Sequence, residues 1–283
     1  MRNLIKTFII AVLVGIIGGQ TAQAETKRAL LVGISDYGNT NEDPNKWANI
    51  SGANDVALLS PLFNEQGFKV MSIVDAQATH TGITAALKKL AKDSKKGDVV
   101  YIHFSMHGQP FEDLNGDEED GWDEALIPVD AQMTYSEGVY DGKNHLLDDE
   151  LEVYFNDIRS KIGYEGKLYV VLDVDNSDGN GFSSTDKQYT PDKTESANNY
   201  FKLSPSKELS PVTFIEACLS WQPNKEVRDV NTNIWYGSLS YYIAQALKNH
   251  QIGNSEAWIE VVKTSIANNR RLCKQNVVVE KID

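Results

Sequence analysis

The sequence reads VVYIHFSMHGQ from Val99 to Gln109. Its first six residues are almost entirely apolar and follow a Lys/Gly turn, a pattern typical of a short strand buried in a parallel sheet. Polar side chains begin at Ser105 and His107. Because ligands bind beyond the carboxyl ends of strands in open α/β sheets, this order predicts that His107 lies at a functional edge.

Similar apolar runs recur along the chain and alternate with helical periodicity. They predict further strands at Ala29–Ile34, Lys69–Val74, Leu168–Leu172 and Val212–Ile215. Apolar residues spaced three or four apart predict helices at Asp55–Gln66, Thr81–Lys92, Asp148–Ile162, Ser238–Lys248 and Glu256–Arg270. This alternation predicts an α/β fold with a mostly parallel sheet covered on both faces. Two polar stretches, residues 107–147 and 174–210, are predicted to be functional or disordered loops.

The composition is that of a globular protein with an acidic surface. The 283 residues are 41% hydrophobic and 24% charged, and the formal net charge is −13. This excess of carboxylates argues against nucleic-acid binding, which needs clustered Lys and Arg. It is compatible with basic ligands and cations.

The first 24 residues have the pattern of a secretory signal peptide. Arg2 and Lys6 precede an apolar run, and the small-residue pattern Ala22-Gln23-Ala24 predicts cleavage before Glu25. The alternative is an uncleaved anchor, but the apolar run is shorter than the roughly 20 residues of a spanning helix. We therefore expect a periplasmic or secreted protein, with no membrane attachment after cleavage. An oxidising compartment would permit a disulfide between Cys218 and Cys273, but the sequence does not fix their separation.

The strand end and the segment after it carry a family resemblance. Ser105-Met106-His107-Gly108 stands where caspase-fold peptidases of the type I metacaspase-like branch (peptidase C14) have Ser-Gly-His-Gly. The run DLNGDEEDGWDEALIPVD over Asp113–Asp130 resembles the family's next segment, and shorter matches extend through most of the remaining chain. The resemblance implies a caspase-like three-layer α/β/α sandwich over residues 25–283, with His107 in the catalytic dyad.

The chain departs from the family at the nucleophile. After the fourth strand the family has an aspartate, a small residue, the catalytic cysteine and a histidine, whereas this sequence reads Asp173-Val174-Asp175-Asn176. A carboxylate is a much weaker nucleophile than a thiolate towards an amide, so Asp175 predicts loss of peptidase activity. Cys218 is an alternative nucleophile, although a packed, inert thiol is the plainer interpretation. A third interpretation is a metal-dependent hydrolase in which His107, Asp173 and Asp175 hold a transition metal.

The resemblance also assigns roles to other aspartates. Asp55 and Asp173 match positions that line the pocket for Arg or Lys, since paired carboxylates suit a guanidinium; a helix-end charge is the alternative for Asp55. Asp130, Asp148 and Asp149 resemble aspartates that bind an activating calcium ion, with helix capping as the alternative.

The run Asp113, Asn115, Asp117 resembles the opening of an EF-hand loop, but Glu118 replaces the required glycine, which favours an ordinary acidic surface loop.

These observations predict an exported, inactive metacaspase-like domain that binds peptide or protein segments carrying Arg or Lys, or regulates an active relative. The alternatives are an active endopeptidase specific for Arg or Lys, with His107 as base and an unrecognised nucleophile, and a metal-dependent hydrolase built on His107 and Asp175. Calcium is the only cofactor predicted.

Overall fold

The computed structural model describes residues 25–39, 46–175, 181–185, 187–194, 196–272 and 274–283, without the side chain of residue 175. The predicted signal peptide and Cys273 lie outside the described residues. Within the described part of the chain, none of the helices has the length and apolar character needed to cross a membrane.

A mostly parallel sheet forms the centre of the fold. Its strands in chain order are β1 Lys27–Gly33, β2 Phe68–Val74, β3 Val99–Glu112, β6 Lys167–Asp175, β7 Val212–Glu216 and β10 Val278–Ile282. They lie in the order β10-β7-β6-β3-β1-β2, and only β10 pairs antiparallel along this path. Two short strands, β4 Trp122–Leu126 and β5 Leu146–Leu147, extend the sheet from the end of β3. A separate hairpin joins β8 Glu226–Arg228 to β9 Trp235–Gly237.

Helices cover both faces of this sheet. They are α1 Gly52–Glu65, α2 His80–Asp93, α3 Asp148–Ile162, α4 Ser238–Leu247 and α5 Ala257–Asn268. Successive strand residues point to opposite faces. Leu30 therefore packs in the core under α2 and α3, while its neighbour Leu31 packs in the core under α1, α4 and α5. The predicted three-layer α/β/α architecture is confirmed.

The prediction of a loop over residues 107–147 is only partly right. The strand that begins at Val99 continues to Glu112, beyond the predicted end at Phe104, and pairs antiparallel with β4. Trp122, which pairs with Glu112 in this ladder, is almost fully buried. The sequence did not predict β4 because this strand contains Asp123 and Glu124 and follows a turn rich in Gly, Asp and Asn, so it lacks the apolar run of a buried strand.

Two glycines bring the start of α1 against the sheet edge. A Cβ atom on Gly33 would lie 2.1 Å from the carbonyl oxygen of Gly52, and a Cβ atom on Gly52 would lie 2.1 Å from that of Ser105. Both contacts are far below van der Waals distance, so only glycine permits this approach. The approach places Asp55, in the first turn of α1, beside the ends of β3 and β6.

Candidate functional site

Two aromatic rings enclose the imidazole of His107 at the sheet edge. Its ring centroid lies 5.1 Å from that of Tyr37 and 5.0 Å from that of Trp47. The Nε2 atom lies 2.9 Å from the carbonyl oxygen of Ala48, which can only accept, so Nε2 carries a proton. In the neutral ring the lone pair therefore lies on Nδ1, and this nitrogen is the one that can act as a base.

The main chain of β3 is fixed beside the same histidine. The hydroxyl of Tyr37 accepts the N–H of His107 at 3.2 Å and donates to the carbonyl oxygen of Ile127 at 3.0 Å. Burial raises the pKa of Tyr37, which therefore stays neutral and keeps its donor. Neither Tyr37 nor Trp47 was assigned a role from the sequence.

Position 175 lies next to His107 in the sheet. The two residues are register partners on the parallel strands β3 and β6, whose backbones are spaced about 4.8 Å apart. The backbone of residue 175 therefore lies beside that of His107, and the assignment of this residue to the nucleophile position stays a prediction. The side chain of Asp175 and residue Asn176 lie outside what the structure describes, so the consequence for catalysis stays a prediction.

Cys218 lies after β7, on the side of β6 away from β3. Its buried thiol donates to the carbonyl oxygen of Gln222 at 3.2 Å, and the carbonyl oxygen of Val174 lies 3.9 Å away. Strand β6 separates Cys218 from the strand that carries His107, and the thiol is hydrogen-bonded to a backbone carbonyl. This arrangement does not favour Cys218 as a nucleophile with His107 as its base.

Asp55 and Asp173 line one pocket of about 250 Å³ that also contains His107. Asp55 accepts hydrogen bonds from the Ser105 hydroxyl at 2.6 Å and the Gly237 N–H at 2.9 Å. Asp173 accepts from the Asn224 amide at 2.6 Å and from the N–H and hydroxyl of Ser240 at 2.8 and 2.7 Å. The structure therefore brings together the two carboxylates that the resemblance assigned to a basic-residue pocket.

Both carboxyl groups are almost completely buried, and this governs their ionisation. Burial is the main cause that raises the pKa of Asp55 well above its usual range, and repulsion from the charge of Asp173 is the second. Burial is also the main cause that raises the pKa of Asp173. A cation in the pocket would offset the repulsion between them. Glu226 also lines this pocket, and its Oε1 accepts the Ser51 N–H at 2.6 Å. Glu226 was assigned no role from the sequence.

A second acidic group surrounds the start of α3 and is called the aspartate cluster below: Asp113, Asp117, Asp123, Asp148 and Asp149. Oxygen atoms of Asp113, Asp117 and Asp123 lie within 4.8 Å of one another, a spacing at which one cation can contact all three. Asp149 accepts a hydrogen bond from the Asn115 amide at 2.8 Å. Among the described residues, one oxygen each of Asp123 and Asp148 is buried without a hydrogen-bond partner.

The same two side chains have raised pKa values. Burial is the main cause that raises the pKa of Asp123 to about 7, and repulsion from the charge of Asp113 is the second. Burial is also the main cause that raises the pKa of Asp148 to about 8, with repulsion from the charge of Asp123 second. Oxygen ligands of this kind are those that Ca²⁺ prefers. Sequence reasoning missed Asp123, although it lies in the quoted acidic run.

Asp130, the third predicted calcium ligand, has a different contact. Its Oδ1 accepts the N–H of His80 at 2.9 Å at the start of α2. Asp113, for which the sequence favoured a surface-loop role, accepts the N–H groups of Asn115, Gly116 and Glu118. It thus organises the loop from which the cluster is built.

The fold is a mostly parallel sheet with helices on both faces, and His107 lies at its carboxyl edge beside an acidic pocket. These features define a caspase-like α/β protein. Residues 27–178 match the family model described as metacaspase, peptidase C14 domain. The chain therefore belongs to the metacaspase family of C14 peptidases.

Curated relatives match different lengths of the chain. "Metacaspase-1B" of Aspergillus clavatus is 35% identical over 136 residues, covering 44% of this chain and 29% of that protein. "Metacaspase-1" of Plasmodium falciparum is 30% identical over 233 residues, covering 79% of this chain and 35% of that protein. The chain thus matches only about a third of the length of these relatives.

Solved structures support the fold. The protein GSU0716 of Geobacter sulfurreducens superposes with a TM-score of 0.61 at 18% identity, covering 91% of this chain and 93% of that one. The Drosophila initiator caspase Dronc superposes with a TM-score of 0.52 at 13% identity, covering 100% of this chain and 93% of that one.

Proposed function

We propose that this chain is a metacaspase-family domain without peptidase activity that binds Arg or Lys side chains of peptides. The observation that carries the proposal is the buried pair Asp55–Asp173, held by hydrogen bonds in a pocket next to His107. The residue beside His107 in register is an aspartate rather than a cysteine. The domain would therefore bind a basic residue without cutting beside it, and would act as a partner or regulator of an active relative outside the cytoplasm, as the signal-like residues 1–24 suggest.

Binding and cleavage must be measured on the same peptides. A set of fluorescent peptides with a single Arg, Lys, Gln or Asp would be titrated by fluorescence anisotropy, with and without calcium, and each mixture would then be analysed by mass spectrometry. We expect saturable binding of the Arg and Lys peptides, no binding of the Gln and Asp peptides, and no products. Asp173→Asn should weaken binding about tenfold or more, because it removes one of two charges that contact the cation.

Two outcomes would contradict this proposal. If the Arg and Lys peptides bind no better than the Gln and Asp peptides, the pocket does not recognise basic side chains and the proposal is wrong. Products that disappear in a His107→Ala variant would instead establish an active peptidase, and their loss in Cys218→Ala would identify the nucleophile. Asp157→Asn, an exposed carboxylate on α3, is the matched control for loss of one charge.

We also propose that the aspartate cluster binds Ca²⁺. Asp123 and Asp148 each have one buried oxygen with no hydrogen-bond partner in the described part of the chain, and this supports the proposal, because such atoms are costly to bury unless something satisfies them. Calcium at about 100 times its dissociation constant should raise the free energy of unfolding by about 2.7 kcal/mol. Thermal melting with Ca²⁺, Mg²⁺ and a chelator would measure this; an equal shift in wild type and Asp123→Asn would refute the site.

A further inference from the structure

An apolar surface lies on the β8–β9 hairpin, next to the acidic pocket. It consists of Val230, Ile234 and Trp235, called the hairpin surface below, whose exposed fractions are 91%, 41% and 49%. Single exposed apolar residues are common, but three together on one short hairpin are not. Trp is also the residue type that most often dominates binding energy at protein interfaces.

The hairpin surface is held in one conformation. The Asp229 carboxylate accepts the N–H groups of Asn231 and Thr232, both at 2.9 Å, and its other oxygen accepts the Tyr241 hydroxyl at 3.0 Å. The N–H of Asp229 donates to the carbonyl oxygen of Ile234 at 2.9 Å and closes the turn. Tyr241 belongs to α4, so the turn is fixed to the body of the protein. A surface ordered in advance loses less entropy when a ligand binds.

The hairpin surface is connected to the pocket through the strands of the hairpin. Glu226 of β8 and Gly237 of β9 line the pocket, and Trp235 is only two residues from Gly237. The Trp235 carbonyl oxygen accepts the Asn54 amide at 3.1 Å, which ties this strand to α1, the helix that carries Asp55. At about 3.3 Å per residue, two or three residues of an extended peptide would span the distance from the pocket to Trp235.

The charges of the two regions differ. Three carboxyl groups, on Asp55, Asp173 and Glu226, line the pocket and outnumber its one lysine, Lys225, whose Nζ donates to the carbonyl oxygen of Arg271. The register partner of Trp235, in contrast, is the exposed Arg228. A second basic residue of a bound peptide would therefore be repelled beside the tryptophan, and an apolar side chain would gain contact area there.

We propose that the hairpin surface is a second recognition element, which binds an apolar side chain one to three positions from the Arg or Lys that enters the pocket. This inference rests on the proposed pocket function. It adds a sequence preference: the partner is a segment with one basic residue flanked by large apolar residues, rather than a polybasic segment.

The test uses three fluorescent peptides with one central Arg, flanked on both sides by Leu, Ser or Lys. Wild-type protein should bind the Leu-flanked peptide about tenfold more tightly than the Ser-flanked one, which corresponds to the gain expected for burying an apolar side chain. Val230→Ser and Trp235→Ser should remove this preference by weakening only the Leu-flanked peptide. Asp173→Asn should weaken both peptides.

The control variant is Val153→Ser, which changes a residue that is 66% exposed on α3, the helix layer across the sheet. It should leave all three affinities unchanged. Equal affinities for the Leu- and Ser-flanked peptides, both reduced by Asp173→Asn, would overturn the hairpin proposal while keeping the pocket. Tightest binding of the Lys-flanked peptide would also overturn it. Failure of every Arg peptide to bind would refute both proposals.

Discussion

Two groups of buried aspartates differ in what satisfies their oxygens. In the pocket, Asp55 and Asp173 accept hydrogen bonds from serine hydroxyls, an asparagine amide and backbone N–H groups. In the aspartate cluster, one oxygen each of Asp123 and Asp148 has no such partner among the described residues. Burial raises the pKa of Asp55 and Asp173 in the pocket, and of Asp123 and Asp148 in the cluster. The other three aspartates of the cluster are partly or fully exposed.

The comparison shows that burial alone does not decide what an acidic site binds. Protein donors already orient the carboxylates of the pocket, so a ligand there must bring its own hydrogen-bond donors, as a guanidinium does. The carboxylates of the cluster keep buried oxygens available, which suits a bare cation that needs several oxygen ligands. The two sites should therefore respond differently to substitution, pH and ions.

Gly237→Ala should have the largest effect. A Cβ atom there would lie 2.2 Å from Oδ2 of Asp173 and 2.8 Å from Oδ2 of Asp55, so it would displace both carboxylates. We expect Arg-peptide affinity to fall more than tenfold and the free energy of unfolding to fall by about 2 kcal/mol, as for other overpacked sites. Anisotropy and urea denaturation would measure both. The control is Gly67→Asn, since nothing lies within 4 Å of a Cβ there and asparagine tolerates its positive φ; an equal loss in the control would show that the effect does not come from the pocket.

The next largest effect should be a loss of stability at alkaline pH that calcium prevents. The folded-state pKa values of Asp123 and Asp148, about 7 and 8, lie above the usual aspartate value of 3.8. Their contribution to stability is therefore fully present at low pH and is lost as the pH rises through 7 and 8. Without calcium, the free energy of unfolding should fall by on the order of 2 kcal/mol between pH 6 and 9.

Urea midpoints at both pH values, with calcium or a chelator, would measure this loss. Asp148→Asn should flatten the pH dependence, whereas Asp157→Asn should not. A slope that is the same in the presence of calcium would contradict the proposed difference between the two sites.

Arg-peptide binding should have the opposite pH dependence. Because burial raises the pKa values of Asp55 and Asp173, the free pocket retains a proton that a bound cation must displace. Affinity should therefore increase severalfold per pH unit while the pair is still protonated, and level off once both groups are ionised. Titrations from pH 5 to 9 would show this, and an affinity that stays constant over the range would indicate that the cation does not contact the pair.

Tyr37→Phe should have the smallest effect. It removes the hydroxyl that accepts the His107 N–H and donates to Ile127, and leaves both backbone groups buried without that partner. We expect a loss of about 1 kcal/mol in the free energy of unfolding, with the ring contact to His107 retained. Peptide affinity should not change, because Tyr37 does not line the pocket; a large loss of affinity would mean that the position of His107 controls access.

Sequence determined the elements that depend on local pattern. The apolar runs at Ala29 and Val99 and the helical spacing in α2 and α3 gave strands and helices in the right order, because burial imposes its period directly on the residues. His107 and Asp175, which the family resemblance assigned to one catalytic site, are register partners on β3 and β6, and their catalytic assignment stays a prediction.

Tertiary structure decided what depends on contacts between distant segments. From the sequence, Asp130 was named as a calcium ligand and Asp123 was passed over. In the fold, Asp130 accepts the N–H of His80, and Asp123 is buried with one oxygen that has no hydrogen-bond partner among the described residues. The hairpin surface likewise depends on the fold, because only the burial of other residues shows that Val230 and Trp235 stay exposed. The physical reason is that hydrogen-bond satisfaction and solvent exposure are properties of a residue's spatial neighbours, which sequence spacing does not specify.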